Sequence, residues 1–373
     1  MGTAVLSLSI LGGVSTGTTA AVGTPNPPVT VVASGLNNPR SLAWGPDGKI
    51  YVSEAGVGGD ACAPLPPGPE PQGVACFGTT GSVSRISDHT VTRVVTGLAS
   101  LALPHGDGVE GPHGLSITRG RFYLVLGSAT QLVPDALPPV LRRTLVEQLG
   151  HLLDVTPGQK IRTIADPGTS DYAWSSLHQS LVRPGQFPQS NPYALLAEPA
   201  RSFVVNSASN TLDEVRLNGD VVVLAFVPNP PASSSVPTCV ARGPDGALYI
   251  GELTGFGNPA GAASVYRFTP AGGLSLWKTG FSAITGCGFG SDGSFYATEF
   301  DLTGFPPSGS NLAAGAVVRI APDGTRTLIG LGKLFFPNGF LAGPAGEIYV
   351  TNWSVQPGSG PPGAPTGEVV RIG

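Results

Sequence analysis

Residues 42–54 read LAWGPDGKIYVSE: a short apolar run, a Gly-Pro-Asp-Gly turn, and a tyrosine-containing run that ends in a carboxylate. The same phrase returns at residues 240–252, 288–299 and 340–352 as VARGPDGALYIGE, GFGSDGSFYATE and FLAGPAGEIYVTN. Asp-Gly between two β-prone runs supplies the positive φ of a tight turn, so each copy predicts a β-hairpin. Recurrence of one hairpin along a chain predicts a repeat architecture.

Two weaker copies, at residues 115–126 and 195–206, bring the number of predicted hairpins to six. A second strand pair follows a hairpin after a variable loop, for example residues 264–268 with residues 274–277. Four strands in a unit of about 50 residues are typical of a propeller blade. We therefore predict an all-β fold, a six-bladed β-propeller with four-stranded blades. A pair of β-sandwiches, the alternative, does not explain six copies of one hairpin.

The ends of the chain predict how the ring closes. The sixth unit stops at residues 367–373 with three strands, and residues 29–36 have the form of a fourth strand placed before the first hairpin. An open ring would leave two sheet edges unpaired. We expect the N-terminal strand to complete the last blade.

Three stretches, at about residues 56–80, 127–150 and 165–192, break the repeat inside a single propeller domain of residues 29–373. The second stretch predicts a short helix over residues 140–149. Long loops on a rigid scaffold commonly carry function, although such loops can also be decoration.

Charge and hydropathy limit the compartment and the partners. Only 12% of the 373 residues are charged and the net charge is −4, with no Lys/Arg run, which argues against nucleic acid or an anionic membrane as partner. Residues 4–14 are apolar and small residues follow at 19–21, so residues 1–21 resemble a secretory signal peptide, or a remnant, without its basic start. This run is too short to serve as an integral membrane segment. We predict a secreted protein, extracellular or periplasmic, and a monomer.

The four cysteines form two candidate pairs. Cys62 and Cys76 bracket a Pro/Gly-rich insertion, where a bridge would contribute about 3 kcal/mol. Cys239 and Cys287 occupy nearly the same place in two consecutive hairpins, so they form either a second bridge or two buried thiols. No Cys/His spacing suggests zinc.

The residues that end the second strand of each hairpin, here called the second-strand set, are mostly polar. Carboxylates and amides around one axis form an oxygen-rich site that Ca²⁺ or another divalent cation accepts. A carboxylate in such a site can also have a raised pKa and act as a base. The alternative is that these side chains form hydrogen-bonded caps of the channel. The members are Glu54, Leu126, Asn206, Glu252, Glu299 and Asn352, and all except Leu126 are the candidate metal ligands.

A companion group, the first-strand set, opens the first strands at the same mouth of the channel. His113 is the only histidine of this set and is a candidate general base or ligand. Together with Glu252 of the second-strand set, it is a candidate catalytic residue. The alternative is that His113 is a hydrogen-bonded spacer that fixes its loop. Nearby His105, Asp107 and Glu110 are expected to be solvated. No nucleophile elbow, P-loop or dinucleotide fingerprint is present. The set comprises Asn38, His113, Asn191, Thr238, Gly286 and Asn338.

Several motifs carry a family resemblance, among them residues 36–40 (LNNPR), 51–56 (YVSEAG), 111–113 (GPH), 190–193 (SNPY) and 249–256 (YIGELTGF). Together they resemble the ScyD/ScyE family of exported bacterial propellers, named for two proteins linked to biosynthesis of the pigment scytonemin. More distantly, the blades resemble NHL repeats and gluconolactonase-type propellers, whose metal is held by Glu, Asn and Asp. That second resemblance implies metal-ligand positions at Glu54, Asn206 and Glu252.

Two functions follow as hypotheses. The first is an exported ScyD/ScyE-like propeller that acts as a binding or scaffold module, accessory to secondary-metabolite or pigment biosynthesis, with a small molecule, a glycan or a protein at its channel mouth. The second is a calcium-dependent hydrolase of lactone or ester type, in which a cation on the second-strand set polarises a carbonyl. Quinone-dependent sugar oxidation, a third possibility, lacks the cluster of basic residues that an acidic quinone requires.

Overall fold

The fold is described from a computed structural model of the chain. The predicted signal peptide, residues 1–21, lies outside the described residues. The structure describes residues 26–66, 73–182, 186, 188–231, 233–305, 312–358 and 363–373.

The strands follow one another in groups of four, one group to a blade. The chain begins with β1 (Val29–Leu36), which belongs to the last blade. Blade 1 contains β2 (Pro39–Trp44), β3 (Ile50–Glu54), a short additional β4 (Ala61–Pro64), β5 (Val74–Ser87) and β6 (Thr90–Ala102). Blade 2 contains β7 (Pro112–Thr118), β8 (Arg121–Leu126), β9 (Leu152–Asp154) and β10 (Arg162–Ala165). Blade 3 contains β11 (Pro192–Glu198), β12 (Arg201–Asn206), β13 (Thr211–Arg216) and β14 (Val221–Phe226).

The remaining blades follow the same order, and a two-residue ladder between β17 and β22 links the loops of blades 4 and 5. Blade 4 contains β15 (Pro237–Arg242), β16 (Leu248–Glu252), β17 (Asn258–Pro259), β18 (Ala263–Thr269) and β19 (Gly273–Phe281). Blade 5 contains β20 (Ile284–Phe289), β21 (Phe295–Glu299), β22 (Gly304–Phe305), β23 (Gly315–Ile320) and β24 (Arg326–Leu334). Blade 6 contains β25 (Phe340–Ala342), β26 (Ile348–Asn352), β27 (Gly367–Ile372) and β1. The predicted six-bladed propeller is confirmed.

The Gly-Pro-Asp-Gly turn forms the predicted hairpin and also ties it to the third strand. In blade 4, the Asp245 carboxylate accepts a hydrogen bond from the backbone N–H of Ala247 at 3.1 Å and from the Tyr249 hydroxyl at 3.1 Å. Arg267 on β18 lies 2.7 Å from the same carboxylate. Equivalent arginines of the third strand pair with the turn aspartates of blades 1 and 5. The repeated Asp therefore stabilises a turn and fixes the next strand.

Closure of the ring occurs as the sequence predicts. β1 pairs antiparallel with β27, with Val31 opposite Val370 and Ala33 opposite Val369, as the outermost strand of blade 6. The buried side chains of Ala33 and Leu36 join a core cluster that includes Val52 of blade 1. The N-terminal strand therefore bonds to the last blade and packs against the first.

Both cysteine pairs form disulfides. Cys62–Cys76 joins β4 to β5 inside the first insertion, as expected. Cys239–Cys287 joins the first strands of blades 4 and 5, which decides between the two alternatives that the sequence left open. This bridge lies in the core that the two blades share, beside Ile284.

The insertions after β8 and β10 contain helices. The predicted helix is α1 (Pro139–Gln148), and its Leu145 packs into the core of blades 1 and 2. A 3₁₀ turn at Thr130–Leu132 precedes it. A second helix, α2 (Pro167–Leu177), was not predicted, although the Asp166 carboxylate caps it by accepting from the Thr169 N–H at 2.8 Å. Among the described residues, no helix is long and apolar enough to cross a membrane.

Candidate functional site

The six first strands enclose a cavity of about 440 Å³ on the axis of the propeller, here called the channel cavity. The starts of these strands contribute polar side chains at one end: His113, Tyr193, Thr238, Thr285 and Asn338. Four members of the first-strand set therefore line the channel cavity as expected, namely His113, Thr238, Gly286 and Asn338.

His113 is held at this end by a carboxylate. Its ring is buried, and its Nε2 lies 2.6 Å from Oε2 of Glu110, three residues earlier in the chain. A carboxylate accepts, so Nε2 carries the proton and Nδ1 presents a lone pair. That Nδ1 atom is buried and finds no hydrogen-bond partner among the described residues. His113 thus has a fixed ring orientation, with one buried nitrogen left as an acceptor.

Burial keeps this imidazole neutral. Loss of solvent lowers the pKa of His113 below its usual 6.5, and the nearby Arg40 acts in the same direction. The Glu110 carboxylate opposes both effects, without reversing the direction. A neutral imidazole with a free lone pair can accept a proton or a ligand hydroxyl.

Tyr193 completes this end of the channel. Its ring lies 4.4 Å from the His113 ring, centroid to centroid, and its hydroxyl accepts a hydrogen bond from Nδ2 of Asn338 at 2.7 Å. Burial raises the pKa of Tyr193, so the phenol keeps its proton. The phenol O–H and the His113 lone pair together provide a donor and an acceptor close to each other.

The three insertions converge on a second cavity of about 360 Å³, here called the insertion cleft. Each insertion supplies a wall residue: Leu65 from the first, Leu132 from the second and Tyr172 from the third. The lining is mainly apolar, and Glu110 is its acidic residue among those described. Because His113 lines the channel cavity and Glu110 lines the insertion cleft, their hydrogen bond forms part of the wall between the two cavities.

The structure places the second-strand set inside the blades rather than along the channel cavity, which none of its members lines. The Glu54 carboxylate is fully buried, accepts from the Asn37 N–H at 2.7 Å and pairs with Arg93 at 2.8 Å. Three other members likewise accept a backbone N–H of the segment that enters their own blade: Asn206 from Asn191, Glu299 from Ser282, and Asn352 from Phe335. These side chains tether the segments that enter their blades.

Two carboxyl groups of the set have raised pKa values. Burial raises the pKa of Glu252 to about 8, although the Ser264 N–H and Tyr266 oppose that rise. Burial raises the pKa of Glu299 to about 7, against the Ser282 N–H and Arg326. Oε1 of Glu252 is buried and has no hydrogen-bond partner among the described residues.

A cation on the second-strand set stays a prediction. Within the described ranges, no group of three His, Cys, Asp or Glu side chains lies close enough together to hold a metal ion. The donors that the set offers are separated among five blades, and each is already bonded to its own loop.

Sequence reasoning missed the partner of His113. Glu110 was expected to be solvated, whereas its side chain is 30% exposed and contacts both His113 and Asn191. The spacing of three residues between an acid and a histidine was the available signal, but a loop of unknown shape does not define that contact. Ser128 was missed as well; its Oγ is buried in the insertion cleft and unpartnered among the described residues.

Comparison with known proteins supports the fold alone. No protein-family model and no curated protein matches the chain. Among solved structures, a protein described as a gluconolactonase is 12% identical over 94% of this chain and 92% of its own, with a TM-score of 0.52. A glucose dehydrogenase is 12% identical over 93% and 99%, with a TM-score of 0.50. A streptogramin B lyase is 13% identical over 93% and 98%, with a TM-score of 0.49.

The chain is therefore a six-bladed β-propeller. Identities this low do not transfer an activity from one propeller to another. The resemblance to the ScyD/ScyE family stays a prediction.

Proposed function

We propose that this propeller is a binding module for a mainly apolar small molecule, held in the insertion cleft. The observation that carries the proposal is the convergence of three separate insertions on one apolar cavity beside the oriented Glu110–His113 pair. Apolar pockets with a few convergent polar groups are the usual form of small-molecule sites.

The lining indicates the chemistry of the ligand. Leu101, Leu103 and Pro188 provide apolar area, and Leu103 is 40% exposed although nothing else requires an apolar residue there. Glu110 accepts hydrogen bonds, and the unpartnered Ser128 hydroxyl offers a second polar contact. The ligand therefore combines an apolar body with a hydrogen-bond donor, such as an aromatic N–H or hydroxyl, directed at Glu110.

A fluorescence titration with N-phenyl-1-naphthylamine, an apolar probe with one N–H, tests this proposal. Leu103→Gln removes apolar contact area, and we expect about tenfold weaker binding. Glu110→Gln replaces a charged acceptor by a neutral one, and we expect about fivefold weaker binding. Leu217→Gln is the matched control, since Leu217 is 77% exposed and lies outside the insertion cleft.

Two results contradict the proposal. Absence of saturable probe binding would show that the insertion cleft does not take up apolar molecules. Equal affinities for Leu103→Gln, Glu110→Gln and the Leu217→Gln control would place the bound probe elsewhere on the protein.

A second candidate, the cation-dependent lactone or ester hydrolase, rests on the raised pKa of Glu252. A carboxyl group that titrates near neutral pH is suited to general acid–base chemistry. Hydrolysis of a panel of lactones and esters, with and without chelator, tests it. Turnover that falls at least 100-fold in Glu252→Gln supports this candidate; no hydrolysis with Ca²⁺, Mn²⁺ or Zn²⁺ present eliminates it.

We also propose export from the cell and an accessory role in secondary-metabolite biosynthesis, on the basis of the ScyD/ScyE resemblance. Two disulfides suit an oxidising compartment. Detection of the mature chain in the periplasm or culture medium tests export. Retention of the whole chain in the cytoplasm, with reduced cysteines, would contradict it.

A further inference from the structure

Two carboxyl groups, on different elements, lie side by side in the interior of blade 3. Asp171 comes from α2 and Asp213 from β13, and both side chains are fully buried. The Thr211 hydroxyl oxygen lies 3.2 Å from Oδ2 of Asp171 and 3.3 Å from Oδ2 of Asp213. The two acids therefore share one polar pocket, which neither the insertion cleft nor the channel cavity includes.

Within the described ranges, these acids have no cationic partner. Asp171 accepts from Nδ2 of Asn206 at 2.6 Å, and no ion pair among the described residues includes Asp171 or Asp213. The second carboxylate oxygen of each acid, Oδ1, is buried and receives no hydrogen bond from any other group in the described part of the chain, although the two carboxyls lie close enough to hydrogen-bond to each other. Another acid, Asp166, adds like-charge repulsion at Asp171. An unbalanced buried carboxylate costs several kcal/mol, so the pair holds either a proton or a bound counter-charge.

The surrounding atoms suit a hard cation. Besides the carboxylate oxygens, the pocket contains the Thr211 hydroxyl and, 3.0 Å from it, the Ser209 hydroxyl, both fully buried. Ca²⁺ accepts six to eight oxygen ligands of these kinds. The amide oxygen of Asn206 accepts three backbone N–H groups, which holds its Nδ2 toward Asp171 and orients that carboxylate.

We propose that Asp171, Asp213, Thr211 and Ser209 form a binding site for a divalent cation of the Ca²⁺ type. Both Oδ1 atoms are fully buried and have no other donor among the described residues, which leaves lone pairs available to a cation. The ion joins α2 to blade 3. Because Tyr172, the next residue of α2, lines the insertion cleft, the ion also fixes one wall of that cleft.

The test begins with the unaltered protein. Elemental analysis of the purified chain should show about one equivalent of Ca²⁺. Removal with a chelator should lower the melting temperature by about 5 °C, and added Ca²⁺ should restore it. This experiment does not depend on any ligand of the insertion cleft, so its failure is distinguishable from failure of the proposed function.

Variants locate the ion. Asp213→Asn should abolish both the bound Ca²⁺ and the effect of chelator, whereas the exposed Asp220→Asn, with the same charge change on the same blade, should retain both. Glu252→Gln should also retain the ion, which separates this site from the second-strand set.

Two outcomes overturn the proposal. If the wild-type protein contains no cation and its melting temperature ignores both chelator and Ca²⁺, the two acids are neutralised by a proton instead. If Glu252→Gln loses the ion and Asp213→Asn keeps it, the ion belongs to the second-strand set. If Asp213→Asn does not fold, the wild-type measurements decide alone.

Discussion

At the scale of single residues, the polar side chains of this propeller differ in what they can do. Glu54 accepts from a backbone N–H and pairs with Arg93, so its charge is balanced inside blade 1. Glu252 accepts from the Ser264 N–H but has no cationic partner in the described part of the chain. Two glutamates at the same place in the repeat therefore differ in ion pairing, because the strands beside them differ.

Glu252→Gln should make the protein less sensitive to pH. The unfolded chain ionises at Glu252 above about pH 4.5, whereas the folded chain does so only above about pH 8, so folding stability falls between these values. The variant cannot ionise at position 252 and therefore does not lose folding stability in this way. We expect it to exceed the wild type in unfolding free energy at pH 8 by roughly 1–3 kcal/mol, with little difference at pH 4.5.

Urea unfolding at pH 4.5 and pH 8 measures this effect. The exposed Glu147→Gln is the control and should match the wild type at both pH values. A Glu252→Gln effect of equal size at the two pH values would mean that lost packing, rather than ionisation, determines the difference.

The chemical role of His113 depends on its contact with Glu110. Alone in a loop it is either a base or a spacer, and the sequence left both open. Contact with Glu110 assigns the proton to Nε2 and leaves the buried Nδ1 as the acceptor. The conformation of the loop therefore determines which ring nitrogen carries the proton.

At the scale of elements, the blades are joined by few covalent links. Cys239–Cys287 connects the first strands of blades 4 and 5 across 48 residues, the longer of the two disulfide-closed loops. Closure of the longer loop removes more entropy from the unfolded chain. The bridge also lies among buried side chains that both blades share.

Replacement of Cys239 and Cys287 together by Ala should lower the unfolding free energy by about 4 kcal/mol, the entropy of closing a loop of this length. Denaturant unfolding in oxidising buffer measures the loss. Reductant should weaken the double variant less than the wild type, because only Cys62–Cys76 remains to be reduced. If the double variant and wild type unfold alike in oxidising buffer, the cysteines are not bridged in the protein.

Helix α2 is the element that the repeat does not explain. It lies between β10 and β11 and carries Asp171 into the interior of blade 3. Its sequence lacks the apolar periodicity of a packed helix. The available sequence signal for α2 is its N-cap, Asp166 before Pro167. Asp171 is one of the contacts by which α2 packs on blade 3, together with Trp174, whose ring stacks on Phe226.

At the scale of the whole molecule, the N-terminal strand controls closure. β1 supplies the outermost strand of blade 6 and places Leu36 in a core cluster with Val52 of blade 1. β1 therefore connects blades 1 and 6 through its contacts with both.

Removal of residues 1–36 should therefore destabilise the entire ring. The variant loses the ladder between β1 and β27 and exposes the outer edge of β27, so we expect a melting temperature lower by at least 10 °C and concentration-dependent association. Thermal melts and size-exclusion chromatography measure the two effects. A chain that begins at residue 26 keeps every described contact of β1 and is the control. Equal melting of both truncated chains would show that β1 does not close the ring.

The architecture of this protein could be predicted from its amino-acid sequence. Six copies of one hairpin, a truncated last unit and a spare strand at residues 29–36 define a closed propeller, because turn chemistry and alternation are local properties. The pairing of Cys62 with Cys76 and the helix α1 were accessible for the same reason.

The tertiary structure was needed to show how the polar side chains are oriented and which of them contact each other. The second-strand set turned out to tether loops inside the blades, whereas Glu110 meets His113 and Asp171 meets Asp213 across 42 residues (213 − 171). Such contacts depend on how insertions of irregular backbone fold over a regular scaffold. A repeat pattern carries no information about them, since the insertions lie outside the repeat.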